Sequence, residues 1–269
     1  MQFFTHEICI NGKKAPLRAY LPDAAPSAND RQRRPAVIVF PGGSYLFTYE
    51  GEAEPIALRY LAEGVCAFVL DYSVYPARFP QALLEGLEAI RFVREHAEEY
   101  GIDPKNIAVC GFSAGGHLAA CTGTLWNHAI LDGLLSGDRR AYRPDKLILC
   151  YPVVDFSHKD SFMNLVERNE EELTPERIDL LSPRKQITAD TPPTFLWHNA
   201  DDGAVSAKGS LQFATALYDG GVPFQIRVYG KGNHGCCSAD HVTVDTDYAS
   251  PYPCAAWMKD SLDFLFGKE

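Results

Sequence analysis

The chain has 269 residues, 46% hydrophobic and 22% charged, an ordinary globular composition with length enough for one large α/β domain around a buried core. Its 25 basic and 35 acidic residues give a formal net charge of -10. With no stripe of Lys and Arg to neutralise phosphates, a nucleic-acid-binding surface is excluded.

Two apolar-rich runs, Phe3–Ile10 and Ala15–Leu21, flank Asn11-Gly12, a pair suited to the positive φ angles of a tight hairpin turn. A polar loop rich in Pro, Ser, Asn and Asp follows from Ala24 to Arg34 and carries the densest basic stretch, Arg31-Gln32-Arg33-Arg34, which reads as solvated. Pro35–Phe40 is continuously apolar, as expected of a strand covered on both faces, and it runs into Pro41-Gly42-Gly43-Ser44-Tyr45. A helix is predicted over Glu54–Glu63, stopped by Gly64, and a second buried strand over Val65–Asp71. Gln81–Tyr100 has the spacing of a long amphipathic helix, with Gly101 as its stop. A strand then leads through Gly111-Phe112-Ser113-Ala114-Gly115 into a helix from His117 to about Asn127, and another strand covers Lys146–Tyr151. From Asp155 to about Asp190 the alternation loosens. Ser161–Asn169 and Pro175–Leu181 read as short helices of a small lid-like insertion. Regular order resumes with strand Thr194–His198, helix Ala207–Asp219, strand Phe224–Tyr229 and a last helix from about Cys254 to Phe266. Alternation of this kind gives a mostly parallel central sheet with helices on both faces, built as a single domain over residues 1–269.

In such sheets ligands bind at the carboxyl ends of the strands. A serine on a strand-to-helix turn stands clear of the sheet with the first helical amides beside it, and small neighbours let the backbone close in; Gly111, Ala114, Gly115 and Gly116 are small. Ser113 is therefore the candidate nucleophile. A serine hydroxyl needs an imidazole to take its proton and a carboxylate to orient that imidazole. The loop after Thr194–His198 carries Asp201 and Asp202, and the residues alone leave the choice between them even. The loop after Phe224–Tyr229 carries Gly232-Asn233-His234-Gly235, whose glycines let the backbone aim His234 over the sheet; His241 is the weaker competitor. His198, ending a strand, and His117, entering the helix behind the elbow, read as structural. Attack on a carbonyl puts negative charge on oxygen. The amide of Ala114 and those of Gly42, Gly43 and Ser44 are the candidates to receive it, with the donor among the last three left open.

On these residues the chain resembles the α/β-hydrolase superfamily, and within it the small carboxylesterases of the acetylesterase and acetyl-xylan-esterase-like subgroup. The likeness runs from about Pro35 to the C-terminus. It rests on Pro41-Gly42-Gly43-Ser44, on the Gly111–Gly115 elbow, on the acid loop from His198 to Ser206, and on Gly232-Asn233-His234-Gly235. Leu181-Ser182-Pro183 and Thr191–His198 belong to the same pattern. Alignment of the acid loop favours Asp202. The chain departs from the pattern at Pro41, Ser44, Asn199 and Ser206, which stand where many relatives have His, Gly, Gly and Pro. The resemblance implies a serine esterase for short-acyl, acetyl-type esters, with a sugar or xylan as an admissible alcohol; a homodimer is admissible, and the sequence leaves the oligomeric state open. It implies no metal or organic cofactor. A peptidase of the prolyl-oligopeptidase type, a non-catalytic binding protein on the same scaffold, and a metal hydrolase using the dense stretch His234–His241 are the rival readings.

The eight cysteines do not form a disulfide-framework pattern, and Cys66, Cys110 and Cys150 sit in or beside apolar strand-like runs. Met1–Glu7 has neither a basic n-region nor a long apolar segment, and no run is long enough to cross a membrane. The expectation is a soluble cytoplasmic protein. The role of the Cys236-Cys237 pair is left open.

Overall fold

The computed structural model describes residues 1–23, 33–155, 163–166, 173–244 and 252–268. Most of the polar loop at 24–34 and most of the predicted helix at 161–169 lie outside the described residues.

Among the described residues, eight strands form one sheet: β1 (Gln2–Ile10), β2 (Lys13–Leu21), β3 (Arg34–Phe40), β4 (Cys66–Leu70), β5 (Ile102–Phe112), β6 (Lys146–Cys150), β7 (Thr194–Asn199) and β8 (Phe224–Tyr229). Their spatial order is β1-β2-β4-β3-β5-β6-β7-β8. The β1–β2 hairpin pairs antiparallel onto β4, and every pairing from β4 to β8 is parallel. Asn11 and Gly12 both take positive φ at the hairpin turn, 51° and 75°.

Among the described residues, α-helices flank the sheet at α1 (Glu54–Ala62), α2 (Gln81–Glu95), α3 (Ser113–Leu125), α4 (Pro175–Leu180), α5 (Ala207–Asp219) and α6 (Ala256–Leu265). Strand side chains alternate between the two faces. Ala36, Ile38 and Phe40 of β3 pack with α2, α3 and α5, whereas Val37 and Val39 pack with Ile56, Tyr60 and Trp257 of α1 and α6. Both faces are thus covered, which is why Pro35–Phe40 of β3 reads as an unbroken apolar run.

Two boundaries differ from the sequence reading. Helix α2 ends at Glu95, not Tyr100. The His96 ring turns back onto the Phe92 carbonyl at 2.8 Å, and the chain passes through Gly101 at φ 67° to enter β5. Helix α3 begins at Ser113 itself rather than at His117, so the elbow has no linker between strand and helix.

Candidate active site

Ser113 is the first residue of α3, directly after the carboxyl end of β5, and its φ of 52° is left-handed. A non-glycine residue there carries backbone strain of about 1–3 kcal/mol, sustained only by surroundings that fix it. The surroundings are tight. A Cβ on Gly115 would lie 2.1 Å from the Phe40 carbonyl oxygen, and one on Gly111 would lie 2.2 Å from the Gly115 carbonyl oxygen. Glycine at both positions lets α3 press against β3 and β5, and this close approach lifts Ser113 to the rim of the sheet.

The loops that follow β7 and β8 meet it there. His234 Nε2 lies 2.8 Å from Ser113 Oγ, and His234 Nδ1 lies 2.7 Å from Asp202 Oδ2. The adjacent aspartates divide their work. Asp202 faces the imidazole, while Asp201 Oδ1 accepts from the backbone amides of Gly232 and Asn233 at 3.0 and 3.1 Å and so holds the histidine loop itself. The Asp202 side chain is fully buried. Burial by itself would raise its pKa, but hydrogen bonds from His198, His234 and the Val205 amide outweigh that effect and hold the carboxyl well below the usual carboxylate range.

His198 is closer to the site than its position at a strand end suggests. Its Nε2 faces two acceptors, Asp202 Oδ2 at 3.1 Å and the Val205 carbonyl at 2.9 Å, so this nitrogen carries the proton and donates. The Ser210 hydroxyl meets its Nδ1 at 2.8 Å. The signal in the sequence was the four-residue spacing to Asp202. Asn199, a departure from the family pattern, donates from Nδ2 to the Asn233 carbonyl at 2.8 Å and thereby braces the same loop.

On the other side of Ser113 the turn after β3 bends through three left-handed residues, Gly43, Ser44 and Tyr45, at φ 130°, 54° and 56°. The Gly42 amide points inward and donates to Glu52 Oε2 at 2.7 Å. Glu52 is 2% exposed, and its other oxygen accepts from the Tyr151 hydroxyl at 2.7 Å. Burial pushes its pKa up, and the bonds from Tyr151 and Gly42 oppose that rise. Sequence reasoning missed both Glu52 and Tyr151. Tyr45 donates to His117 Nδ1 at 2.8 Å, and His117 Nε2 meets the Leu181 carbonyl at 2.8 Å, which joins the turn to α3 and to the end of α4. Burial lowers the His117 pKa to about 4, so its ring is neutral at pH 7. Ala114 lies in the first turn of α3, where amides have no acceptor within the helix.

The residues of His234–His241 go separate ways. Cys236 Sγ is 3.6 Å from Cys254 Sγ, Cys237 Sγ donates to the Gly235 carbonyl at 3.2 Å, and Asp240 binds Arg59 at 2.5 Å. Among the described residues no three His, Cys, Asp or Glu side chains come together in a group able to hold a metal ion. No helix of the described residues is long and apolar enough to cross a membrane.

Residues 22–217 match the model of the family described as BD-FAE. Among solved structures, an acetyl ester-xyloside bifunctional hydrolase from Caldicellulosiruptor lactoaceticus is 36% identical, with a TM-score of 0.79 over 96% of this chain and 90% of that one. Among curated sequences, endo-1,4-beta-xylanase B of Butyrivibrio fibrisolvens is 33% identical over 219 residues, which are 79% of this chain and 34% of that protein. An acetylxylan esterase of Xylanibacter ruminicola is 27% identical over 241 residues, 86% of this chain and 45% of that protein. The chain therefore spans about a third to a half of the length of the curated relatives it matches.

Proposed function

The chain belongs to the BD-FAE family of α/β-hydrolase-fold proteins, and from that premise we propose that it is a serine carboxylesterase acting on short-acyl, acetyl-type esters. Ser113 Oγ attacks the ester carbonyl while His234 Nε2 takes its proton. Asp202 holds the imidazole in the tautomer that leaves Nε2 free to accept, and it stabilises the imidazolium that forms. The tetrahedral oxyanion is received by the amide of Ala114 and by Gly43 or Ser44, since the Gly42 amide is already engaged by Glu52. His234 then returns the proton to the leaving alcohol. Water, deprotonated by the same imidazole, releases the acid from the acyl-enzyme and regenerates Ser113. The names of the hydrolase and the acetylxylan esterase above support an acetylated carbohydrate as the substrate.

The observation that carries this reading is the unbroken contact Ser113–His234–Asp202, at 2.8 and 2.7 Å, among three segments far apart in the chain. A fluorophosphonate probe should label Ser113 alone. Ser113→Ala should lower kcat on an acetyl ester by about 10⁴-fold or more. Retained turnover in that variant, or labelling at another residue, would sink the proposal. Comparing kcat/KM for acetyl, butyryl and longer acyl chains, and for acetylated xylo-oligosaccharides against simple acetyl esters, tests the acyl and alcohol preferences.

A further inference from the structure

Glu52 lies in a run of alternating acids, Glu50-Gly51-Glu52-Ala53-Glu54, where exposed carboxylates are the ordinary expectation. Yet Glu52 is 2% exposed, and both its oxygens accept hydrogen bonds. Burying a carboxylate in this way is costly unless its partners compensate it. The two partners belong to the two parts of the site that must hold still. One is the Gly42 amide in the turn beside Ser113. The other is the Tyr151 hydroxyl, which in turn accepts the backbone amide of Cys237, three residues beyond His234, at 3.1 Å. The ring of Tyr151 also packs edge-on against the His234 imidazole, with centroids 5.0 Å apart. A Cβ at Gly42 would meet Glu52 Oε2 at 2.7 Å and Ser113 Cβ at 3.1 Å, so the carboxylate lies close behind the nucleophile.

Building on the esterase reading, we propose that Glu52 is a positioning residue: one buried carboxylate ties the turn that receives the oxyanion to the loop that carries the base. Through Gly42 it fixes the turn whose next amides face the substrate oxygen. Through Tyr151 and Cys237 it fixes the backbone that follows His234. Its charge has a second effect, because an imidazolium forms nearby during turnover and a buried anion favours it. The groups within electrostatic range of Glu52 are Tyr49, Tyr72, Cys150, Tyr151, Cys237 and His234. The tyrosines and cysteines are all held above their ordinary pKa values, four of them chiefly by burial and Tyr49 chiefly by Cys237 beside it. They stay neutral at pH 7, which leaves His234 as the group that gains charge.

Glu52→Gln keeps the shape but removes the charge and turns one acceptor into a donor. The geometry matters only once the oxyanion and imidazolium form, so kcat should fall by about tenfold or more while KM stays within about twofold. The acid limb of the pH profile of kcat/KM should move to lower pH, because the buried negative charge that favours the protonated base is gone. Glu52→Asp, which shortens the tie but keeps the charge, should lower kcat with the acid limb in place. A folded Glu52→Gln protein with wild-type kcat and an unmoved acid limb would overturn the proposal. So would a loss that merely follows the unfolded fraction in a thermal melt. If Glu52→Gln does not fold, Tyr151→Phe decides, since it deletes only the hydroxyl between Glu52 and Cys237. A kcat about fivefold lower at unchanged KM supports the tie, and wild-type kinetics refute it. Ser113→Ala, assayed alongside, separates the two readings. Turnover surviving in Ser113→Ala defeats the esterase mechanism, whereas a dead Ser113→Ala beside an unaffected Glu52→Gln defeats only the role given to Glu52.

Discussion

Asp201 and Asp202 are neighbours with the same charge, and what separates them is the donor each one meets. Asp202 faces a ring nitrogen whose tautomer sets whether His234 can accept a proton, while Asp201 faces two backbone amides. Asp202→Asn should therefore lower kcat by about 10³–10⁴-fold, because its amide nitrogen would offer a hydrogen to the imidazole and favour the wrong tautomer. In Asp201→Asn the side-chain oxygen still accepts from Gly232 and Asn233, so the loss should stay below about tenfold. Measuring kcat on one acetyl ester for both variants checks the division of labour, and equal losses would contradict it. This division could not be read from Asp-Asp in a loop, where both residues have the same local chemistry and differ only in which way the chain turns. Glu52 was hidden for the same reason, since nothing local tells the inward carboxylate from Glu50 and Glu54. Ser113 and His234 stood out in the sequence because each carries its own backbone requirement in nearby glycines, whereas Asp202 was favoured only by the likeness of the acid loop.

At the scale of elements, the strands were the most legible part, because a parallel strand covered on both faces leaves an apolar run that little else imitates. The end of α2 was not, since the ring of His96 engages the Phe92 carbonyl through a contact that hydrophobic spacing does not encode. The junction of β5 and α3 depends on backbone proximity that has a sharp consequence for substitution. A methyl group on Gly115 would meet the carbonyl oxygens of Phe40 and Pro41 at 2.1 and 2.4 Å, and neither belongs to a flexible side chain. Gly115→Ala can be accommodated only by moving α3 off the sheet. It should cost about 3 kcal/mol or more in urea unfolding. Gly230→Ala, where an added Cβ meets nothing within 4 Å, should stay within about 0.5 kcal/mol of wild type. A Gly115→Ala protein of undiminished stability would mean that α3 packs less tightly than this junction requires.

At the scale of the whole molecule, a neutral histidine joins separate parts of the fold near the rim of the sheet. His117 accepts from Tyr45 on the turn after β3 and meets the Leu181 carbonyl after α4, so three parts of the fold converge on one imidazole that burial keeps uncharged. An unfolded chain protonates this residue near pH 6.5, whereas the folded one resists until about pH 4. Between those values the unfolded state binds the extra proton, so stability falls as the pH is lowered from 6.5 to 4. The accumulated loss is on the order of 3 kcal/mol, a sizeable part of the 5–15 kcal/mol typical of a folded domain. Asp202 acts in the same direction but in a lower window. Its pKa is depressed in the fold, so the stability it contributes is present above the unfolded carboxylate value and drains away as the pH falls through the folded one. Glu52 and Asp71 act in the opposite direction, because burial raises both carboxyls and the folded state takes up their protons first. A comparison of wild type with His117→Gln cancels those contributions. The variant should be less stable at pH 7.5, where the wild type has its neutral imidazole, and the gap should narrow steadily as the pH approaches 4. Urea midpoints at half-unit steps give the difference curve directly. A gap that stays constant across that range would mean that the His117 ring does not resist protonation in the folded protein.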